Sequence, residues 1–445
     1  MPFSRLPIHV HRKPVRRLRT LVIMRCGTWA LTEGSQRNDE PVAANRERRY
    51  AGQSHDEPDS FPAEDAMNIV IAPDSFKDAL SARDAAAAIA TGLRQELPDA
   101  TLHQCPMGDG GEGTLDALLA ATQAERRMAS VQDALGRDAT AAWGWHEPSR
   151  TAFVELAEAS GLQQLEREER TALHSTTYGV GQLILAALDA GAESLVLTLG
   201  GSATNDAGAG MLMALGARLL DSEGRPLPSG GAALADLKTL DLDGLDPRLA
   251  ALTVQTAVDV DNPLLGPRGA SAIFGPQKGA TEADVARLDR ALAHFADLAA
   301  NALGEDFREL SGAGAAGGMG FAARAFLGAT LRPGIELVME QVKFDALLAD
   351  ADWVITGEGQ LDGQSLSGKT PIGIARRAER FGVPTVVLAG RLGDQWQDAF
   401  EHGITAAFAL ADGPITLDEA LDRCGELLSD RARTLARLWR VCANG

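Results

Sequence analysis

Short apolar runs that stop at a glycine or an acidic residue recur along this chain, and they restrict its fold more than any other feature. NIVIA (68–72) ends in Pro-Asp-Ser, and ESLVLTLGG (193–201) ends in two glycines. DWVITGEG (352–359), PTVVLAG (384–390) and ITAAFAL (404–410) repeat the form. Runs of this kind read as strands buried on both faces, and the segments between them carry helical periodicity. After the first run, Ser81 is a good N-cap with Asp84 in the first turn. Ala85, Ile89, Leu93 and Leu97 then share one face until Pro98 stops the helix. TLHQCPM (101–107) is a second strand and GTLDALLAAT (113–122) a second helix. That alternation predicts a parallel α/β sheet.

The middle of the chain is more mixed. TAAWGW (140–145) and TAFVELA (151–157) alternate like antiparallel strands, and AGAGMLMALGARLL (207–220) reads as a helix. A long amphipathic helix over 281–303 carries Val285, Leu288, Leu292 and Phe295 in register. The expected architecture is therefore α/β with two α/β domains. One is built from both chain ends (67–125 and 303–445), and a mixed α/β domain is inserted over 126–302. Residues 1–66 stand apart: seven Lys/Arg and no Asp/Glu fall in the first 25, and a polar stretch broken by Pro and Gly follows. They read as a disordered extension, or as lying upstream of a true start at Met67, rather than as a targeting peptide, because TLVIM is too short an apolar core.

Bulk chemistry removes several function classes. The net charge of −19 over 445 residues disfavours nucleic acid and anionic membrane surfaces as partners. Cys26, Cys105, Cys424 and Cys442 form no C-x-x-C pair, so neither a disulfide framework nor a zinc site is indicated. No apolar run approaches the roughly 20 residues of a spanning helix. There is no H-E-x-x-H and no G-x-G-x-x-G after the first strand, and Ser202 lacks the G-x-S-x-G elbow because position 204 is Thr.

The polar residues collect in loops at strand ends. APDSFKD brings Asp74, Ser75 and Lys77 just past a strand's carboxyl end, where open α/β sheets hold ligands. PMGDGGEGT sets Asp109 and Glu112 among four glycines. LTLGGSATNDAGAG offers Gly200, Gly201, Ser202, Thr204 and Asn205 for an anion, and Asp206 to hold Mg²⁺ or take a proton. VDVDNPLLGPRGASAIFGPQKGA adds Asp259, Asp261, Asn262, Arg268 and Lys278. GAGAAGGMG (312–320) suits a phosphate loop, a hinge or close helix packing. Only six lysines stand against 36 arginines, and Lys77, Lys278 and Lys369 sit in such bends, which points to phosphate contact. GQSLSGKT (363–370) matches the P-loop pattern G-x-x-x-x-G-K-T. A true P-loop leaves its strand directly, however, and here the apolar run ends at Thr356, seven residues earlier.

In order, IAPDSFK, GDGGEGT, GGSATNDAGAGM, DNPLLGPRGAS, IFGPQKGA, GAGAAGGMG and VITGEGQLDGQSLSGKTPIG resemble the type I glycerate kinases, from Met67 nearly to the C-terminus. The resemblance implies a flavodoxin-like domain with an inserted α/β domain and a cleft between them. It implies cytoplasmic, ATP-dependent phosphorylation of D-glycerate with Mg²⁺, typically to 2-phosphoglycerate, in glyoxylate metabolism. On that basis Asp206 is the leading base or metal ligand, with Asp74 and Lys77 beside it as catalytic candidates. Asp109, Glu112, Glu358 and Asp362 are metal candidates. Ser75, Gly200, Gly201, Ser202, Thr204, Asn205, Lys278, Ser365 and Lys369 are candidates for substrate or phosphate contact. A P-loop NTPase and a non-catalytic binder of small organic anions stand as the alternatives, and homo-oligomerisation stays open.

Overall fold

The computed structural model describes residues 66–443. The extension expected over 1–66 lies, except for its last residue, outside them. In chain order the strands are β1 (Asn68–Ile71), β2 (Thr101–Gln104), β3 (Glu125–Gln132), β4 (Asp138–His146), β5 (Thr151–Glu155) and β6 (Ser194–Thr198). There follow β7 (Arg218–Leu220), β8 (Thr239–Asp241), β9 (Thr253–Ala257), β10 (Thr330–Arg332), β11 (Trp353–Leu361), β12 (Thr385–Leu392) and β13 (Ile404–Ala409).

The first and last of these form one five-stranded sheet, ordered β13-β12-β11-β1-β2, with every pair parallel. Its order reverses between β1 and β11, the doubly wound arrangement whose ligands sit outside the carboxyl ends at the reversal. A six-stranded sheet runs β10-β9-β6-β5-β4-β3. It is parallel from β10 to β5, and β3, β4 and β5 pair antiparallel, as the alternating patterns of β4 and β5 suggested. β7 and β8 form a separate antiparallel pair.

Local chemistry explains the elements. Helix α1 (Ala82–Glu96) starts where the Ser81 hydroxyl accepts the Asp84 amide at 3.1 Å, and Ala85, Ile89 and Leu93 are buried on its inner face. The helix Glu282–Leu303 opens on a reciprocal cap between Thr281 and Asp284, and buries Leu288, Leu292 and Phe295. The helix expected over 207–220 is shorter: it spans Ala209–Ala214, and the chain turns at Gly216 (φ +109°) into β7. One apolar core touches both large sheets. Val70 and Val354 meet Phe153 and Val196 through Leu115 and Leu118 of α2 (Thr114–Thr122) and through Ile335 and Val338. Each such side chain contributes about 1.5–3 kcal/mol on burial. Through this core the loops at the carboxyl end of β1 come to face those of the second sheet.

Candidate active site

At the reversal point the loop after β1 is tied to β11. The Asp74 amide donates to the Gly357 carbonyl at 2.8 Å, and the Thr356 hydroxyl donates to the Ala72 carbonyl at 2.7 Å. The Asp74 carboxylate accepts the Ser75 amide and the Thr370 hydroxyl. Burial, and then the charge of Asp109, push its pKa up to about 7 against those two bonds. Asp259, at the end of β9, accepts the Gly334 amide at 2.9 Å. It too is raised to about 7, by burial first and then by Asp109 and Asp74. Glu358, within β11, accepts the Ser365 hydroxyl at 2.6 Å and rises to about 7, chiefly through burial. The Lys369 ammonium opposes the shifts of Asp259 and Glu358. Asp74, Asp109, Glu358, Ser365 and Lys369 are therefore brought together, and Asp259 joins them. In the sequence Asp259 is only one of two loop carboxylates in VDVDNP, with nothing to single it out. Carboxylates so crowded and so shifted by their surroundings make this cluster a functional-site candidate.

The Asp109 loop links this cluster to the glycine pair. The Gly200 amide donates to the Gly110 carbonyl at 2.9 Å, and a Cβ at Gly200 would lie 2.3 Å from the Gly111 Cα. Only glycine lets these two loops touch. Glu112 lies beside Gly201, with its pKa raised by burial and lowered by Lys77, so Lys77 faces Glu112. Gly113, which precedes α2, has no side chain to cap that helix. Glu155 from β5 does so across 42 residues, accepting the amides of Gly113 (2.9 Å) and Leu115 (2.7 Å). Burial raises Glu155 to about 7. Its only sequence signal is a Glu ending the apolar strand TAFVE.

Asp206 and Lys278 occupy a different environment. Asp206 has no exposed surface. Its Oδ2 accepts the Thr177 amide and hydroxyl, each at 2.9 Å, and the Gly210 amide at 3.1 Å; its Oδ1 accepts the Gly208 amide at 3.1 Å. Burial raises its pKa, and these donors act against the shift. The role expected of it, base or metal ligand, thus meets a carboxylate whose oxygens are engaged by four donors. Lys278 is 1% exposed, and its ammonium donates to Ser202 Oγ (2.8 Å) and the Thr204 carbonyl (2.6 Å). Burial lowers its pKa to about 7, although Asp206 acts the other way. It holds the glycine loop from inside instead of reaching outward to phosphate. Asn205 donates to Ser271 Oγ at 2.9 Å, while Thr204 Oγ1 and Asn205 Oδ1 are buried without protein partners. The GAGAAGGMG stretch resolves to close packing: Gly317 (φ +70°) lies so near this loop that a Cβ would sit 2.0 Å from the Thr204 carbonyl.

The P-loop match fails for a reason other than the one expected. β11 continues to Leu361, not Thr356, so the strand reaches almost to Gly363. The loop amides, however, are turned onto its own chain. Gly363 donates to the Asp394 carbonyl, Gln364 to Asp362 Oδ1, Ser365 to the Asp362 carbonyl, and Gly368 and Lys369 to the Ser365 carbonyl. They are not free to wrap a phosphate. The Asp362 carboxylate is spent on this turn and on Gln360; burial raises its pKa, but the Gln360 and loop bonds, with the Lys369 charge, outweigh that and hold it low. Among the described residues no three Asp, Glu, His or Cys side chains are placed to hold a metal ion.

The sequence model described as the Glycerate kinase family matches residues 69–440. The chain belongs to the glycerate kinase family. A glycerate kinase of Halalkalibacterium halodurans is 47% identical over 368 residues, covering 83% of this chain and 97% of that protein. The glycerate 2-kinase of Escherichia coli is 47% identical over 370 residues, with the same coverage. A crystal structure from Salmonella typhimurium LT2, assigned as a glycerate kinase 2, superimposes with a TM-score of 0.78 at 46% identity, over 86% of this chain and all of that one. This glycerate kinase family member is thus a phosphotransferase of α/β fold. No helix among its described residues is long and apolar enough to cross a membrane.

Proposed function

We propose that the protein transfers the γ-phosphoryl group of ATP to the 2-hydroxyl of D-glycerate, giving 2-phosphoglycerate, in a cleft between the two sheets. The observation that carries this reading is the gathering of Asp74, Asp109, Asp259 and Glu358 around Lys369 at the reversal point of the parallel sheet. Phosphoryl transfer needs positioning and charge neutralisation more than covalent chemistry. Asp74 accepts the proton of the attacking hydroxyl. A carboxylate raised to about 7 is about half ionised at neutral pH and basic enough to take a proton. Thr370 and Ser75 hold it in place. Lys369 neutralises oxygens of the transferring group. Lys77 and the Gly200–Ser202 loop, on the Glu112 side of the Asp109 loop, receive the glycerate carboxylate.

The cluster is all hard oxygen and its members repel one another, which suits Mg²⁺. A kinase Mg²⁺ takes one or two carboxylates together with the nucleotide phosphates, so a three-ligand protein cage is not required. Asp109 and Asp259 would hold it, and it would neutralise charge on the transferred phosphoryl group. The domain division expected at 125/126 and 302/303 is kept as a proposal, with one qualification: β10, at 330–332, pairs with β9 of the six-stranded sheet.

The test is product identification with D-glycerate and Mg-ATP. Coupling through an enzyme that consumes only 2-phosphoglycerate should register turnover directly. Turnover seen only after a mutase is added would move the transfer to the 3-hydroxyl. ATP cleavage independent of glycerate would favour an NTPase, and glycerate binding without turnover would favour a simple anion binder.

A further inference from the structure

A groove of about 420 Å³ opens from the carboxylate cluster and is not used by the residues so far given roles, apart from its inner end. That end is Asp109, Asp259 and Lys369. From there it runs between the segment Pro333–Met339 and the helix Thr370–Arg380. Val258, Val260, Ile335 and Met339 make the apolar part of one wall, which also carries Asp261 and Glu336, and Arg376, Arg377 and Arg380 line the helix side. The two walls are held close, because a Cβ at Gly373 would lie 2.7 Å from Ile335 Cγ2. The volume exceeds what a three-carbon acid fills and falls within the range of clefts that take a cofactor-sized ligand.

The basic row is not consumed by internal pairing. Arg377 is committed to Asp345 through bonds of 2.6 and 2.9 Å. Arg376 is exposed and meets only His402 Nδ1, at 3.1 Å, and Arg380 is exposed. In a chain of net charge −19, a groove whose four acidic lining residues (Asp109, Asp259, Asp261 and Glu336) are matched by four basic ones, two of them available guanidinium groups, is a local exception. These two guanidinium groups lie about two to three helical turns beyond Lys369, roughly 10–17 Å along the helix at 1.5 Å per residue. A polyphosphate chain and its nucleoside span such a length, whereas glycerate does not.

We infer that this groove is the donor-nucleotide site, with the terminal phosphate at Lys369 and the Asp109/Asp259 end, the nucleoside against Val258, Val260, Ile335 and Met339, and Arg376 and Arg380 facing its phosphates and ribose edge. The inference rests on the kinase reading above, and it divides the two substrates between opposite sides of the Asp109 loop.

The test measures binding of a non-hydrolysable ATP analogue with Mg²⁺ by calorimetry, without glycerate, alongside steady-state kinetics. Arg376→Glu and Arg380→Glu change exposed side chains, so the fold should survive, as circular dichroism will verify. Each should raise the analogue's Kd about tenfold, the effect of losing one charge-assisted contact, and the double variant more. The KM for ATP should rise in parallel while the KM for D-glycerate stays put. Arg290→Glu, on the helix Glu282–Leu303, controls for net charge and should change neither. Unchanged analogue Kd in the double variant overturns the inference, as does a shift confined to the glycerate KM, or a wild-type protein that does not bind the analogue. A wild type that binds the analogue in an arginine-dependent way yet makes no phosphoglycerate would instead sink the kinase reading and leave the nucleotide groove standing.

Discussion

Two buried groups of charge lie within this molecule, and they are buried on different terms. Around Asp206 each oxygen has found its donors, and Lys278 is bonded to Ser202 and Thr204. Around Asp74 the carboxylates face one another, and burial first, then their mutual charge, drives Asp74, Asp259 and Glu358 each to about 7. A charge that folding has satisfied is a structural part. A set of charges that folding has left in mutual repulsion is waiting for something positive, and here the thing proposed is a nucleotide with its cation.

The largest expected effect tests that contrast directly. Asp74→Asn keeps the acceptor oxygen for Thr370 or Ser75 but removes the proposed base. It should lower kcat about a thousandfold, with thermal stability at pH 8 unchanged or improved, since a repelled charge has gone. Near-normal kcat would move the base elsewhere. Asp206→Asn should do the reverse. An amide cannot accept from four donors, and its NH₂ must confront at least one of them, so stability should fall by about 3 kcal/mol in denaturant unfolding. The kcat of the molecules that remain folded should fall far less than in Asp74→Asn. A thousandfold loss with an intact unfolding curve would return Asp206 to catalysis. Lys278→Met separates the two regions more finely. It leaves the Thr204 carbonyl buried without its donor, at a cost of about 2 kcal/mol. By loosening the Ser202 loop it should raise the KM for glycerate more than the KM for ATP. Equal effects on both would deny the loop a substrate-specific role.

The parallel sheet was legible because its strands are buried on both faces and so announce themselves as unbroken apolar runs. That these strands come from both chain ends was legible in their return after residue 350. The loops were legible because glycine and aspartate cluster there. What each loop residue does was not. Asp206 and Asp74 look alike as polar residues after a strand. What separates them is Thr177, which lies 29 residues from Asp206, and Asp109, which faces Asp74 across the sheet edge. Glu155 was missed for the same reason, since the helix it caps begins 41 residues before it. The P-loop match misled because a pattern records side chains, whereas phosphate binding depends on where amides point, and that is set by the turn Asp362–Lys369 makes on itself.

The smallest effect should be one of pH. An unperturbed Asp titrates at 3.8 and an unperturbed Glu at 4.5, whereas Asp74, Asp259 and Glu358 are all raised to about 7 in the folded chain. Between those values the folded state holds more protons than the unfolded one. The contribution of these groups is therefore most favourable below about pH 4, is lost as pH rises toward 7, and levels off above it. Asp259→Asn retains the acceptor for the Gly334 amide and deletes one of the three titrations, and it also eases the shift on its neighbours. The decline in stability from pH 5 to pH 8 should be shallower in this variant, and Mg-ATP should produce less additional stabilisation in it than in the wild type. A decline as steep as the wild type's would mean that the repulsion among these carboxylates is already relieved in the unliganded protein, which would erase the distinction between the two buried groups.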